Sequence, residues 1–349
     1  MMMKKIFIIT LALFCLCGCG KNKTTGNYEA VKRYLDAWVH VQKQKHPEYL
    51  WSQTALGSWI LENTEGSGQP VGEFTDSLYL RVGYTVYSQD GTITGTTYSK
   101  VARQLGSYDE TVFYGPVTMY AKGLYAGVEE ILQGMRKGSR CKVVIPSWLM
   151  TYERYDTADE YLENMSDDST TSIYEIELVD AFDGIMQWGA DSIGRYLTKA
   201  FPYRYGRDPV KAAADSAGVF GFYYISTKAP ADYSELKDTT VYINYIGRLL
   251  NGRVFDTTIR DTAIRYGLNR DKTYEPVSIT LGDEWSDVTM GSEGNSVIAG
   301  FARTLCKMGP YEKGTGVFIP SLGYSYKGSG NSIPAYAPLR FDIELVDEP

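Results

Sequence analysis

Histidine is nearly missing from this chain of 349 residues: there are two, His40 and His46, both in a short N-terminal stretch. A multi-histidine zinc site or a Ser-His-Asp triad in the body of the chain cannot be built, so most imidazole chemistry is excluded by counting. Basic residues are in the minority too. Lys and Arg number 35 against 42 Asp and Glu, a net charge of −7, which is the wrong sign for a non-specific nucleic-acid binder, and no nucleic-acid partner is expected. Apolar stretches of membrane-spanning length are lacking beyond the N-terminus, and even there the run Ile6 to Leu16 is too short to cross a bilayer. Hydrophobic residues at 44% and charged residues at 22% exclude disorder and collagen-like structure. Tyrosine, at 29, is abundant, and its ring with a polar tip suits strand surfaces and apolar pockets.

What is present begins with Lys4 and Lys5, the short apolar run, and then Leu16-Cys17-Gly18-Cys19. This has the form of a signal peptide and resembles a bacterial lipobox, which implies cleavage after Gly18 and a lipid on Cys19. A plain secretory signal cut elsewhere is the alternative. Loss of Lys4 and Lys5 takes the net charge from −7 to −9. Residues 19–27 read as a polar tether. Cys15 and Cys17 leave with the signal, so only Cys141 and Cys306 remain in the body of the chain. They are read as two buried free thiols in preference to an interdomain disulfide.

The chain also repeats itself. Tyr174-Glu-Ile-Glu-Leu-Val-Asp180 returns as Phe341-Asp-Ile-Glu-Leu-Val-Asp347, Val143-Val-Ile-Pro-Ser147 as Val317-Phe-Ile-Pro-Ser321, and Gly127 to Met135 as Gly300 to Met308. Upstream, Leu78 to Tyr84 with Asp90-Gly91 answers Thr240 to Tyr245 with Asn251-Gly252. The ordered series predicts two copies of one domain. Each copy starts with a helix, Tyr28 to Val41 and about Ile185 to Ala200, followed by strands joined at the Asp-Gly and Asn-Gly turns. One short helix with core spacing and two closing strands complete it. The expected class is α+β: an antiparallel sheet wrapped around a short helix, twice.

In the second copy, Val241-Tyr-Ile-Asn-Tyr-Ile-Gly247, Asn251-Gly-Arg-Val-Phe-Asp256, Val297-Ile-Ala-Gly-Phe301, Ile319-Pro-Ser321, Leu322-Gly-Tyr324 and Ile333-Pro334 through Phe341 stand in one order. In that order they resemble the FKBP-type peptidyl-prolyl cis-trans isomerases over about residues 218–347. The whole chain is similar to tandem FKBP-type lipoproteins of Bacteroidetes. The resemblance implies a pocket made of Tyr245, Phe255, Asp256, Val297, Ile298, Phe301, Tyr324, Ile333 and Phe341, with Val277 as a weaker member. It implies that the Tyr324 hydroxyl and the Ile298 backbone N–H bind substrate carbonyls, and that no cofactor or metal takes part. An arginine paired with the pocket aspartate would be Arg260 or Arg265. Three departures stand out: Ser296 replaces a glutamate, Phe301 a common tryptophan, and Asp283 to Gly294 is an insertion.

The first copy departs further. Thr94-Gly95 replaces the Phe-Asp pair, Val128 the floor aromatic, the Ile-Pro lip is absent, and the loop before Tyr174 is replaced by an acidic insertion, Glu153 to Asp168, with seven carboxylates. This copy is expected to have lost its pocket and to be inactive. The insertion reads as a solvated flap carrying Asp159, Glu160 and Glu163 beside Tyr161 and Leu162. The resulting layout is a signal peptide at 1–18, a tether at 19–27, a degenerate FKBP-like domain at 28–183, a linker helix at 184–214 and an isomerase domain at 215–349. The expected partners are proline-containing polypeptide clients, a membrane through the lipid on Cys19, and a second copy of the chain through the N-terminal domain. Lys21 and Lys23, with no acidic run nearby, argue by resemblance against export to the cell surface, and the expected location is the outer membrane facing the periplasm. Two other readings stay open: a non-enzymatic peptide-holding chaperone on the same scaffold, and a glycan-binding lipoprotein suggested by tyrosine content alone.

Overall fold

The computed structural model describes residues 25–202, 210–211, 213–214, 218–268 and 272–349. The signal segment, Cys19 and most of the tether lie outside these residues, as does part of the linker. The chain divides into two units, residues 1–46 and 47–349. In the first, α1 (Thr25–Lys45) exceeds the expected Tyr28 to Val41 at both ends, and Lys43 and Lys45 in its last turn complement the helix dipole.

The second unit holds two sheets. The first is built from β1 (Ser52–Gln53), β2 (Trp59–Thr64), β3 (Leu78–Ser88), β4 (Ile93–Thr96), β5 (Val117–Tyr120), β6 (Arg140–Ile145) and β7 (Ser172–Asp183). It is accompanied by α2 (Ser99–Gln104), α3 (Ala126–Gly134) and α4 (Ala158–Glu163). After α5 (Ile185–Ala200) comes the second sheet: β8 (Phe222–Lys228), β9 (Thr239–Leu249), β10 (Val254–Thr257), β11 (Val277–Leu281), β12 (Thr289–Met290), β13 (Asn295–Ser296), β14 (Lys313–Phe318) and β15 (Leu339–Val346). Its helices are α6 (Arg260–Arg265) and α7 (Ala299–Leu305).

The strand order β2-β6-β7-β3, with β4 and β5 on β3, matches β8-β14-β15-β9, with β10 and β11 on β9. Every pairing is antiparallel, so the architecture is two copies of one α+β domain. The hairpin turns agree in detail. Gly91 and Gly252 both take positive φ, and the Asp90 and Asn251 side chains accept from the backbone N–H two residues on, Thr92 and Arg253. Alternation drives the strands to one face each. Leu339, Phe341, Ile343 and Leu345 point into the core of the second copy along β15, and Ile243, Tyr245 and Leu249 meet them from β9.

The ladders correct one sequence match. Ile145 lies opposite Ser172 and Phe318 opposite Leu339, so Ile145 corresponds to Phe318 and not to Ile319. The matching Ile-Pro-Ser letters slip by one residue because Pro146 is the N-cap of its 3-10 turn whereas Pro320 is already inside its own. A one-residue slip exchanges the faces of a strand, so only the ladder register keeps both helices on the core side. The helix-to-sheet approach confirms that register. A Cβ on Gly127 would lie 2.3 Å from Ile145, and one on Gly300 would lie 2.3 Å from Phe318.

Candidate active site

Each element of the second copy delivers its part of one site. β9 turns Tyr245 inward, and the Asn251-Gly252 hairpin returns the chain as β10 with a bulge between Val254 and Asp256, which presents Phe255 and Asp256 side by side. The start of α7 supplies Val297 and Ile298, its first turn supplies Phe301, and β15 supplies Phe341. Phe341 is the hub. Its ring centroid lies 5.0 Å from Phe301, 5.5 Å from Phe255, 6.1 Å from Tyr245 and 5.9 Å from Phe318. The first two contacts are edge-to-face, the arrangement favoured by the ring quadrupoles. Gly247 makes this packing possible, because a Cβ there would come within 2.5 Å of the Phe255 ring.

The polar groups are few and aimed. Tyr245 Oη donates to Asp256 Oδ2 at 2.5 Å. Asp256 Oδ1 accepts from the Thr257 backbone N–H and from Lys272 Nζ at 3.2 Å. The cation beside the pocket aspartate is therefore Lys272, and neither Arg260 nor Arg265 on α6 forms that pair. Both partners of the Lys272 ion pair are about half-exposed, so solvent screens it. Burial, followed by the Asp256 charge, raises the Tyr245 pKa above its ordinary value, and the same two causes raise that of Tyr324. Both phenols therefore remain protonated donors at neutral pH. Among the described residues, the Tyr324 hydroxyl and the Ile298 backbone N–H have no hydrogen-bond partner, leaving two donors free at the rim of an aromatic cup.

Ile333 is buried and held by a two-bond bridge to Ser329. Val277 is half-buried on β11 opposite Ile243 and packs against the same core. Eight of the nine expected residues thus share one core cluster or its margin, with Val277 at the edge, and the ninth, Asp256, is tied to it by the Tyr245 hydroxyl. The insertion Asp283 to Gly294 forms a 3-10 turn and β12, and its Trp285 stacks under Arg303. Two contributors escaped the sequence: Lys272, and Phe113 of the first copy. Phe113 packs against the second copy's core, and its backbone N–H donates to the Asn331 carbonyl at 2.7 Å, two residues from Ile333. Nothing local in the sequence marks this contact, which joins residues 218 positions apart.

The expectation that the first copy has lost its pocket is corrected. A cavity of about 510 Å3 persists there between Tyr84, Gly95, Val128 and Tyr174. The carboxylate and the aromatic floor are gone, but the hollow remains. The acidic insertion folds as α4, started by a Thr157–Glu160 capping box, with Tyr161 and Leu162 buried. Of the two thiols, Cys141 is buried as expected, whereas Cys306 is exposed because it caps the C-terminal end of α7, and neither is in a disulfide. Burial pushes the Cys141 thiol up to about 12 and also raises that of Cys306. Iodoacetamide at pH 8 should therefore label Cys306 at least tenfold faster than Cys141 in the folded chain, as read by peptide mass spectrometry. Equal rates would contradict this burial pattern.

Residues 233–346 match the model of the FKBP-type peptidyl-prolyl cis-trans isomerase family. The chain is 33% identical over 129 residues to FK506-binding protein 2 of Candida glabrata, covering 36% of this chain and 78% of that protein. The chain belongs to the FKBP-type peptidyl-prolyl cis-trans isomerase family. It is also 36% identical over 108 residues to peptidyl-prolyl cis-trans isomerase FKBP11 of Bos taurus, covering 31% of this chain. A probable FKBP-type peptidyl-prolyl cis-trans isomerase of Haemophilus influenzae is 30% identical over 125 residues, or 36% of this chain. In each of these two the match spans 41% of the relative's length. The three-FKBP-domain structure of wheat FKBP73 is similar at a TM-score of 0.28 and 16% identity, over 83% of this chain and 93% of that one. Among the described residues, no helix is long and apolar enough to cross a membrane, and no cluster of His, Cys, Asp or Glu is placed to hold a metal ion.

Proposed function

We propose that the second copy catalyses cis-trans isomerisation of X-Pro bonds in polypeptide clients, and that the first copy does not. The bond turns slowly because amide resonance must be broken, a barrier of about 18–20 kcal/mol. No nucleophile or proton relay is needed. A site accelerates the reaction if it binds the twisted amide better than the planar one. The twisted amide is less polar, so an apolar cup that excludes water favours it over the planar form. The observation that carries this reading is the Tyr245–Asp256 hydrogen bond set in the cup of Phe255, Phe301 and Phe341, with the Ile298 N–H and the Tyr324 hydroxyl left free. These two donors hold the flanking carbonyls while the proline ring sits among the aromatics, which confines rotation to one bond.

The first copy supplies neither carboxylate nor aromatic floor, which supports its inactivity. The lipobox-like Leu16 to Cys19 supports a lipid anchor on Cys19, and Lys21 and Lys23 support an outer-membrane site facing the periplasm. Clients would then be exported, proline-containing proteins. Pairing of two chains through the N-terminal domain is part of the same proposal.

A protease-coupled assay on succinyl-Ala-Leu-Pro-Phe-nitroanilide with the full chain tests the activity. Tyr324→Phe should lower kcat/KM roughly three- to tenfold, the worth of one neutral hydrogen bond of about 0.5–1.5 kcal/mol. A wild-type chain with no rate above background would refute the isomerase reading. If that chain still suppressed client aggregation, the holding chaperone would take its place.

A further inference from the structure

The cavity of the first copy occupies the position of the candidate active site in the second, and sheet register fixes the correspondence. Tyr84 lies opposite Ile176 as Tyr245 lies opposite Ile343. Val86 lies opposite both Gly95 and Tyr174, just as Gly247 lies opposite both Asp256 and Phe341. The same bulge follows the hairpin, so Thr94 stands for Phe255 and Gly95 for Asp256. On the core helix, Val128 stands for Phe301.

These three exchanges all remove side-chain volume from the walls. A Cβ added to Gly95 would meet nothing within 4 Å, which places open space where the other copy has its carboxylate. The cavity of about 510 Å3 falls within the range of formed ligand sites, and no Asp, Glu, Lys or Arg lines it. A charged ligand would enter without a counter-ion and is disfavoured. A proline ring would sit loosely, without the close contact on three sides that confines rotation in the second copy.

Thr94 Oγ1 donates to the Val86 carbonyl, but three other polar groups of the lining are donors without acceptors. Tyr245 donates a hydrogen bond to Asp256, but its equivalent Tyr84 faces a glycine, and among the described residues its hydroxyl has no hydrogen-bond partner. The same holds for the Tyr174 hydroxyl, on the strand position of Phe341. The Tyr125 backbone N–H, equivalent to that of Ile298, is also without a partner among the described residues. Burial raises the pKa of Tyr84, and that of Tyr174 is pushed up to about 12, so both phenols keep their protons at neutral pH. Tyr125 and Tyr152 stack at 4.5 Å at the margin. Uncharged apolar walls with several O–H and N–H donors match a bulky uncharged side chain flanked by backbone carbonyls.

We propose that this cavity is a second, non-catalytic polypeptide site that takes a leucine- to phenylalanine-sized side chain without requiring proline. It rests on the reading of the chain as a handler of polypeptide segments, and it would let the first copy hold a client while the second acts on it.

The test is equilibrium binding of a fluorescein-labelled, proline-free peptide, Ala-Leu-Phe-Ala-amide, to the full chain by anisotropy. Binding at one site is expected, weakened at least tenfold by Gly95→Phe, which fills the open space, and unchanged by Asp256→Leu. Turnover of the proline peptide should be unaltered by Gly95→Phe, which also reports that the chain is folded. A second measurement needs no variant: the same peptide with benzoylphenylalanine in place of phenylalanine should crosslink within residues 84–176. No binding, binding indifferent to Gly95→Phe, or crosslinks confined to residues 245–341 would overturn the proposal. Tighter, Gly95→Phe-sensitive binding of phosphatidylcholine vesicles would overturn it in favour of an acyl-chain site. Absence of isomerase turnover would refute only the second-copy reading, because the peptide carries no proline.

Discussion

Asp256→Leu is expected to reduce kcat/KM for a proline tetrapeptide by about 10- to 100-fold while leaving the chain folded. The size follows from the loss of a charge-assisted hydrogen bond worth roughly 1.5–3 kcal/mol. The Asp256 side chain is 42% exposed, so leucine buries no new void or charge, and the melting temperature should fall only by the cost of the unpaired Tyr245 hydroxyl, about 1–3 kcal/mol, with the chain still folded. Tyr245 is nearly buried and loses the acceptor that fixes its hydroxyl 2.5 Å away, so the polar wall of the cup loses its orientation. Asp256→Asn separates the two contributions: it keeps an acceptor for Tyr245 and removes the charge, and a loss smaller than that of Asp256→Leu is expected. The split between kcat and KM carries the mechanism. If the pair acts on the twisted amide, the loss falls mainly on kcat. Full turnover by Asp256→Leu would mean that the apolar cup suffices and that the Tyr245–Asp256 pair is structural.

Much of this arrangement could be read from the letters, and the reason lies in the turns. Asn251-Gly252 and Asp90-Gly91 each pin a hairpin register, and once register is pinned, the alternation along β9 and β15 decides which side chains face the core. Tyr245, Phe255 and Asp256 come together through that local logic, whereas Phe341 on the distant β15 is indicated by the family resemblance. What escaped was not local. Lys272 reaches Asp256 from a segment with no fixed spacing to it, while Arg260 and Arg265 are suggested by nearness alone and align with no family position. Phe113 meets the lip loop across two domains. The Ile-Pro-Ser match misled by one residue, because letter identity outweighed the strand register that only the ladders reveal. The first copy's cavity was hidden for a different reason. Thr94, Gly95 and Val128 read as missing contacts, yet in a packed wall, smaller side chains leave volume, and whether neighbours collapse into it depends on the rigidity of the sheet and helix around them. Cys306 shows the same limit, since a helix cap and a helix face differ by a fraction of a turn.

The largest effect on stability is expected at Glu312, which lies outside the cup. This carboxylate is 4% exposed. Its Oε1 accepts from Tyr224 Oη at 2.6 Å, and its Oε2 accepts from the Gly309 backbone N–H at 2.8 Å, so it ties β8 to the turn that leads into β14. Glu312→Leu would remove the carboxylate bond of the buried Tyr224 hydroxyl and the acceptor of the half-buried Gly309 N–H, at about 1–3 kcal/mol each. A domain of this size loses roughly 2–4 °C per kcal/mol, so thermal melts monitored by circular dichroism should move down by about 5–20 °C. Glu312→Gln keeps the shape and one acceptor and should lie between. The pH dependence has a definite sign. Burial and then Glu312 raise the Tyr224 pKa, so the folded state holds the phenolic proton more tightly than the unfolded chain does. The stability gained is complete below the unfolded value of about 10 and is lost as pH rises above it. The wild-type chain should thus lose stability between pH 10 and 12 more steeply than Tyr224→Phe, which has no proton to give up at that position. Parallel alkaline curves for the two proteins would show that this buried pair contributes nothing to the linkage, and would leave the packing of Tyr224 as the only reason for its place in the core.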